Sequence, residues 1–317
     1  GPGAAAVLNQ VCANEVDRAD GSVAYTQLLN DHGGIECDLT ATRLAADRYL
    51  LVTGTAFGNH DLAWIRKQAD RLPQADGAEA RDVTAAWSCF GLWGPAAREL
   101  LQPLTRTTLA NEAFPYLTAQ SLSLGAVPVL AVRVTFVGEL GWELYCPSEY
   151  GATLWDLLWG AGEGHGLVAG GYRAIDALRV EKGYRVWGVD ITPEENPYEA
   201  GLGFAVRLDK PGGFVGRDAL AEVKATGPAR RLRCLVLDEP LAVALGSEPV
   251  RVDGEIVGRV TSGNQGYRVG RSIAFAYLPA DRAELGRRVE VEVFGEWIAA
   301  EVVKDPVYDP EGTRIRA

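Results

Sequence analysis

Arg179-Val-Glu-Lys-Gly-Tyr-Arg-Val-Trp-Gly-Val-Asp-Ile191, preceded by Gly138-Glu-Leu-Gly-Trp-Glu-Leu-Tyr145, packs charge, glycine and aromatic rings beside strongly apolar runs. Buried charges are costly unless paired or liganded. A segment that only had to fold would not scatter Glu139, Glu143, Arg179, Glu181 and Arg185 among Trp, Tyr and Leu, so these stretches are the first candidates for a polar, aromatic ligand site.

Around them the chain alternates strands and helices over its first 225 residues. Val23–Leu29 and Ile35–Leu44 read as strands joined by the turn Asn30-Asp-His-Gly-Gly34, Arg48–Thr55 as a third strand, and Gly58–Leu72 as a helix with Leu62, Ile65 and Leu72 on one face. Gly1-Pro-Gly-Ala-Ala-Ala-Val-Leu and Gly94-Pro-Ala-Ala-Arg-Glu-Leu-Leu repeat a pattern in which Pro opens a helix. The second copy follows the strand-like run Ala85–Trp93, which predicts a strand and helix unit used twice. Nothing precedes the first copy, and there is no methionine anywhere, so the chain is expected to begin inside its first domain. Val127–Val137 and Trp142–Tyr145 predict a second hairpin around Gly138–Gly141, followed by a helix that Ser148 caps and that turns Leu154, Leu157 and Leu158 inward.

Beyond Thr226 short alternating runs separated by glycine turns (232–237, 250–252, 255–261, 272–277, 289–293 and 297–303) predict a small all-β barrel. Thr226-Gly-Pro-Ala229 reads as the linker. The expected domains are 1–225, an α+β region of two lobes, and 226–317, the barrel.

Composition excludes several classes. A net charge of -11 argues against a phosphate-backbone binder. No apolar run reaches the roughly 18–20 residues of a membrane helix. The five scattered cysteines form no C-x-x-C pair, so a disulfide framework is not indicated and a reducing compartment is expected. The three histidines are not spaced as a metal set, so no metal is expected. Dinucleotide, P-loop, nucleophile-elbow and zincin motifs are all missing. Pro211-Gly-Gly-Phe-Val-Gly-Arg217 reads as a turn between a strand and a helix rather than as a phosphate cradle.

Within the candidate stretches each residue has a plain reading beside a functional one. Asp38 follows a Gly-Gly turn and either ion-pairs with Arg43 or acts on a substrate amine; Tyr25, on the preceding strand, is core or comes beside Asp38 through hairpin pairing. Strand alternation puts Glu143 with Tyr145, opposite to Trp142 and Leu144, on an exposed face or against a ligand. Arg179 is three residues from Asp176 on a helix and can pair with it on one face. Two acids, a tyrosine and arginines together suit a cationic carbon electrophile and an aromatic heterocycle bearing carboxylates.

The wording of several segments resembles the folate-binding aminomethyltransferase family of the glycine cleavage T-protein. They are Val137–Tyr145, Leu178–Gly188, Pro197-Tyr-Glu-Ala-Gly-Leu-Gly203, and Tyr25–Asn30 with Gly33–Asp38; Gly258–Tyr267 and Asp309–Ile315 extend the likeness through the barrel. Glu-Lys-Gly-Tyr-Arg and Trp-Gly-x-Asp-Ile are closest to the C-terminal part of sarcosine and dimethylglycine dehydrogenases and oxidases. The resemblance implies a three-lobed α+β fold around a channel for tetrahydrofolate. It implies that Asp38 positions the reacting nitrogen and favours a cationic one-carbon unit, with Tyr25 accompanying it. Glu143 holds the pterin, Arg179 meets a carboxylate or carbonyl, and Trp187 belongs to the same binding set. The implied reaction forms 5,10-methylene-tetrahydrofolate from an iminium or aminomethyl donor derived from a small N-methylated amine. Any FAD belongs to an upstream oxidoreductase domain, and no nucleic acid or membrane partner is expected. The setting is the cytoplasm, or the mitochondrial matrix in a eukaryote.

A stand-alone T-protein, a folate-dependent O-demethylase and a non-catalytic regulatory homologue are the other readings. Departures from the family wording are an earlier family start, Gly54 where T-proteins often carry Asn, and the turn Gly263-Asn-Gln-Gly-Tyr267.

Overall fold

The computed structural model describes residues 1–72 and 77–317. Its first part is one unit used twice. In the first copy α1 (Ala4–Val11) leads into β1 (Val23–Leu29), β2 (Ile35–Ala45) and β3 (Arg48–Thr53), an antiparallel sheet of order β1-β2-β3, and α2 (Gly58–Ala69) follows. In the second copy β4 (Trp87–Trp93) precedes α3 (Ala97–Leu101), β5 (Ala119–Leu124), β6 (Val127–Val132), β7 (Gly141–Pro147) and α4 (Gly151–Ala161), with sheet order β4-β7-β6-β5. The duplicated Gly-Pro openings therefore mark a duplicated architecture.

Each sheet buries one face under its own helices, because side chains alternate along a strand. Leu28, Cys37, Leu39 and Ala41 pack with Leu8, Val11 and Ile65; Trp142, Leu144 and Cys146 pack with Leu100, Leu101, Leu154 and Leu158. The other two faces turn toward each other: Val23, Leu44, Leu50 and Val52 of the first sheet share a cluster with Ala119, Leu130, Val132 and Tyr145 of the second and with Val134 just beyond β6. Backbone bonds from Ala119 N to Gly21 O (2.7 Å) and Val23 N to Leu117 O (2.9 Å) stitch the sheets along one edge. The result is a cleft between two facing sheets, bridged by that apolar cluster.

The third lobe is a closed antiparallel barrel, ordered β10-β11-β8-β13-β12-β9 from β8 (Arg230–Leu237), β9 (Pro249–Val252), β10 (Glu255–Gly266), β11 (Arg271–Pro279), β12 (Arg288–Val293) and β13 (Glu296–Val303). Between the lobes run α5 (Tyr172–Glu181) and α6 (Arg217–Thr226); Val180 of α5 seats against Leu232, Phe275 and Tyr277 of the barrel wall. The three-lobed α+β fold with a C-terminal barrel is thus present. No helix among the described residues is long and apolar enough to cross a membrane.

Local expectations fail where tertiary contacts decide. The β6–β7 connection is an eight-residue loop, since β6 stops before Arg133, whose buried guanidinium donates to Phe114 O (2.6 Å) and Ala317 O (3.0 Å). Ser148 does not cap α4; its hydroxyl donates to Ala85 O (2.6 Å). The α2 face that packs is Asp61, Ile65 and Gln68 rather than Leu62. Gly263–Gly266 continue β10, so the turn lies beyond them, and no strand leads into Pro211–Arg217 before α6.

Candidate active site between the two sheets

Hairpin register assembles the acid site. Gln27 lies directly opposite Asp38 and Tyr25 opposite Thr40, which puts Tyr25 diagonally beside Asp38 on the same face. Gln27 Nε2 donates to Asp38 Oδ1 (2.9 Å), and Tyr25 lies diagonally beside the same carboxyl. Burial pushes the Asp38 carboxyl up to about 6, against the pull of Gln27 and the neighbouring Tyr25. Arg43 is not its partner: that guanidinium pairs with Asp17 and Asp20 instead. Gln27, passed over in the sequence, is fully buried, and its Oε1 accepts no hydrogen bond. Counting back across the turn from Asp38 would have found it. The Tyr25 ring stacks on Phe204 (centroids 6.0 Å apart), which is 73% exposed.

The Gly-Gly turn brings Trp187 against the head of β2. Gly33 adopts φ +83°, and a Cβ on Gly34 would fall 1.9 Å from Pro193 O, so only glycine lets the 187–196 loop approach. Across that contact Ile35 N donates to Glu195 O (2.9 Å) and Trp187 Nε1 to Ile35 O (2.8 Å). The indole meets Phe57 edge-on, centroids 4.5 Å apart.

Glu143 stands on the second sheet. Trp142 and Leu144 are fully buried on the helix side, while Glu143 and Tyr145 take the cleft side, where the Tyr145 hydroxyl donates to Glu143 Oε2 (2.5 Å). Burial raises the Glu143 carboxyl above its ordinary value, and the tyrosine bond opposes that shift. Across the register Gly91 faces Glu143 and Cys89 faces Tyr145. A Cβ on Gly91 would meet the Trp93 ring at 2.3 Å, so this glycine makes room for an indole wall beside Glu143.

The two acids share one cleft by sheet geometry. Tyr25, Gln27 and Asp38 are on the face that carries Val23, Leu50 and Val52; Glu143 is on the face that carries Leu130, Val132 and Tyr145; and those apolar residues form one cluster. The carboxyls therefore project from opposite walls.

Arg179 lies elsewhere. It is buried between α5 and the barrel, where Nε donates to Asp176 Oδ1 (2.8 Å), Nη1 to Asp190 Oδ2 (2.6 Å) and Tyr184 O (3.1 Å), and Nη2 to Ser262 Oγ (2.7 Å). The pairing with Asp176 is the expected one, but the guanidinium is internal rather than on a helix surface, and its donors are spent within the protein. Asp176 also accepts from Asn264 Nδ2 (3.0 Å), and both line a cavity of about 530 Å³ with Arg173, Leu245 and Tyr267. Arg179 thus orders a cavity wall from behind. One set of side chains among the described residues has metal-ligand character: Cys37, His60 and Asp61.

The chain as a whole is similar to known proteins. The model of the GCVT N-terminal domain matches residues 1–210, and that of the glycine cleavage T-protein C-terminal barrel domain matches 230–309. Rat mitochondrial dimethylglycine dehydrogenase is 37% identical over 98% of this chain and 36% of its own length, so the chain spans little more than a third of that relative. An aminomethyltransferase of Symbiobacterium thermophilum is 36% identical over 97% of this chain and 82% of its own. The crystal structure of glycine cleavage system aminomethyltransferase T from Bartonella henselae superposes with a TM-score of 0.86 at 27% identity, covering 98% of this chain and 82% of that one.

Proposed function

Given that the chain belongs to the glycine cleavage T-protein family, we propose that it is a tetrahydrofolate-dependent one-carbon transferase, taking a methylene unit from an iminium or aminomethyl donor and releasing the amine. The observation that carries this reading is the pair of carboxyls on opposite walls of one cleft, Asp38 with Tyr25 and Gln27, and Glu143 with Tyr145.

The donor and acceptor chemistry of the cleft fits a pterin. Its edge presents several N–H groups, which need an acceptor such as the Glu143 carboxylate. Trp187 and Tyr25 supply ring faces. When bound, tetrahydrofolate supplies the nucleophilic nitrogen that takes the carbon. With Tyr25 alongside, Gln27 fixes the Asp38 carboxylate in place, where its charge favours a cationic one-carbon unit and it accepts the proton released as the new C–N bond forms. Arg179 contributes through Asp176, holding a wall rather than gripping a ligand.

A flavin-dependent oxidoreductase, in the same polypeptide or as a partner, supplies the iminium from a small N-methylated amine; the dehydrogenase likeness supports this assignment. The working units in this reading are 1–225 for folate and transfer and 226–317 for the barrel, in the cytoplasm or mitochondrial matrix. A stand-alone aminomethyltransferase is the second reading, favoured by the 82% coverage of the bacterial relative. The test is methylene-tetrahydrofolate formation from formaldehyde. The rate over the uncatalysed condensation is expected to fall about 10²–10⁴-fold in Asp38→Ala. An Asp38→Ala protein as fast as the parent removes the acid from the mechanism, and a parent no faster than the uncatalysed reaction leaves only a regulatory homologue.

A further inference from the structure

The fold also brings together three ligating side chains that the transfer chemistry does not use. Cys37 points to the helix side of β2, away from Asp38, and His60 and Asp61 lie on the first turn of α2 packed over it. One ligand atom from each lies within 4.8 Å of the other two. His60 Nδ1 is 3.0 Å from Asp61 Oδ1. In a tetrahedral site with bonds of about 2.0–2.3 Å, donor atoms stand roughly 3.3–3.7 Å apart, a separation the exposed His60 reaches by a small rotation.

A second layer stands behind the donors. His60 Nε2 is 3.4 Å from Glu36 Oε2, and the Thr53 hydroxyl donates to Asp61 Oδ2. A carboxylate behind a ligating imidazole, and a donor behind a ligating carboxylate, are what orient metal ligands and set their charge. An acid and a histidine alone would suit many cations; the sulfur selects a softer one, since thiolate with imidazole favours zinc over magnesium or calcium. We infer that Cys37, His60 and Asp61 form a three-donor site for a divalent cation of the zinc class, its fourth position left to water or a small ligand. The site ties α2 to β2 directly behind the acid wall of the cleft, and the His60 ring lies 5.7 Å from Trp187.

Equilibrium dialysis of the untagged full chain against Zn²⁺, followed by elemental analysis, is expected to show one retained equivalent. Co²⁺ in its place is expected to give tetrahedral-type visible absorption and a thiolate-to-cobalt charge-transfer band that Cys37→Ser abolishes. His60→Ala, at an exposed position that the core does not need, is expected to weaken binding at least ten-fold, and Glu36→Gln about ten-fold. Each variant is compared at matched circular dichroism. No retained zinc, or retention unchanged in both Cys37→Ser and His60→Ala, overturns the assignment and leaves a hydrogen-bonded cluster only.

Discussion

Replacing Arg179 by methionine tests whether this arginine is a ligand clamp or an internal brace. The side chain volume is roughly kept, but four partners lose their donor: Asp176, Asp190, Tyr184 O and Ser262. Asp190 matters most, because its side chain has no exposure and keeps only Val186 N (3.0 Å) and the Thr261 hydroxyl (2.5 Å). Leaving one member of a buried ion pair uncompensated costs about 3–5 kcal/mol, a large part of the ~5–15 kcal/mol that holds a typical protein together. Urea unfolding is therefore expected to show a midpoint lowered by that cost divided by the slope m, with the slope itself unchanged. Replacing both partners with apolar residues is often nearly neutral, so Arg179→Met/Asp190→Leu is expected to recover most of the loss. A single-variant cost below about 1 kcal/mol, or a double variant no better than the sum of the two singles, refutes the brace. A clamp would show instead as lost ligand affinity at full stability.

Glu143→Gln tests the proposed pterin acceptor through pH. Burial raises this carboxyl in the folded protein, so the fold binds its proton more readily than the unfolded chain does; stability from this group is greatest below the unfolded value and declines as pH rises through the folded one. The glutamine variant is accordingly expected to unfold at a higher temperature than the parent at pH 8, with the gain shrinking on acidification, while folate affinity falls. A gain that is the same at all pH values contradicts the burial argument. Gly34→Ala places a Cβ 1.9 Å from Pro193 O and is expected to cost about 1–3 kcal/mol in thermal unfolding, with weaker ligand binding as the Trp187 loop is displaced; an unperturbed alanine variant contradicts the close approach. Cys89 is the exposed cysteine of the five and faces Tyr145 across the strands, with its thiol pushed up to about 12 by burial of the sulfur. Alkylation is expected to be slow, confined to Cys89 by peptide mapping, and to block folate binding; a Cys89 adduct that binds folate normally removes it from the cleft.

What could be read from the residues was local. Val23–Leu29 and the strand beginning at Ile35 were legible because alternation and a Gly-Gly turn specify a hairpin, and the register then places Tyr25 beside Asp38. The barrel was legible for the same reason, as a run of short alternating strands. The doubled Gly-Pro opening hinted at the repeated unit. Contacts between distant segments were not legible. Nothing near Arg133 says that its guanidinium is needed at Phe114 and Ala317, which is why β6 ends early. Arg179 has its obvious partner three residues away, yet its strongest one, Asp190, lies eleven residues on and Ser262 on the barrel. Ser148 has the chemistry of a cap and is used elsewhere because Ala85 O lies within its reach. His60 and Cys37 meet only because α2 folds back over β2.

The most direct test of the central claim is calorimetric titration of tetrahydrofolate into the parent chain, Glu143→Ala and Asp38→Ala, each verified as folded. The two-walled cleft predicts micromolar binding to the parent, at least ten-fold weaker binding to Glu143→Ala, and binding retained by Asp38→Ala. Binding that is indifferent to Glu143, or a folded parent that takes up no folate, would contradict it.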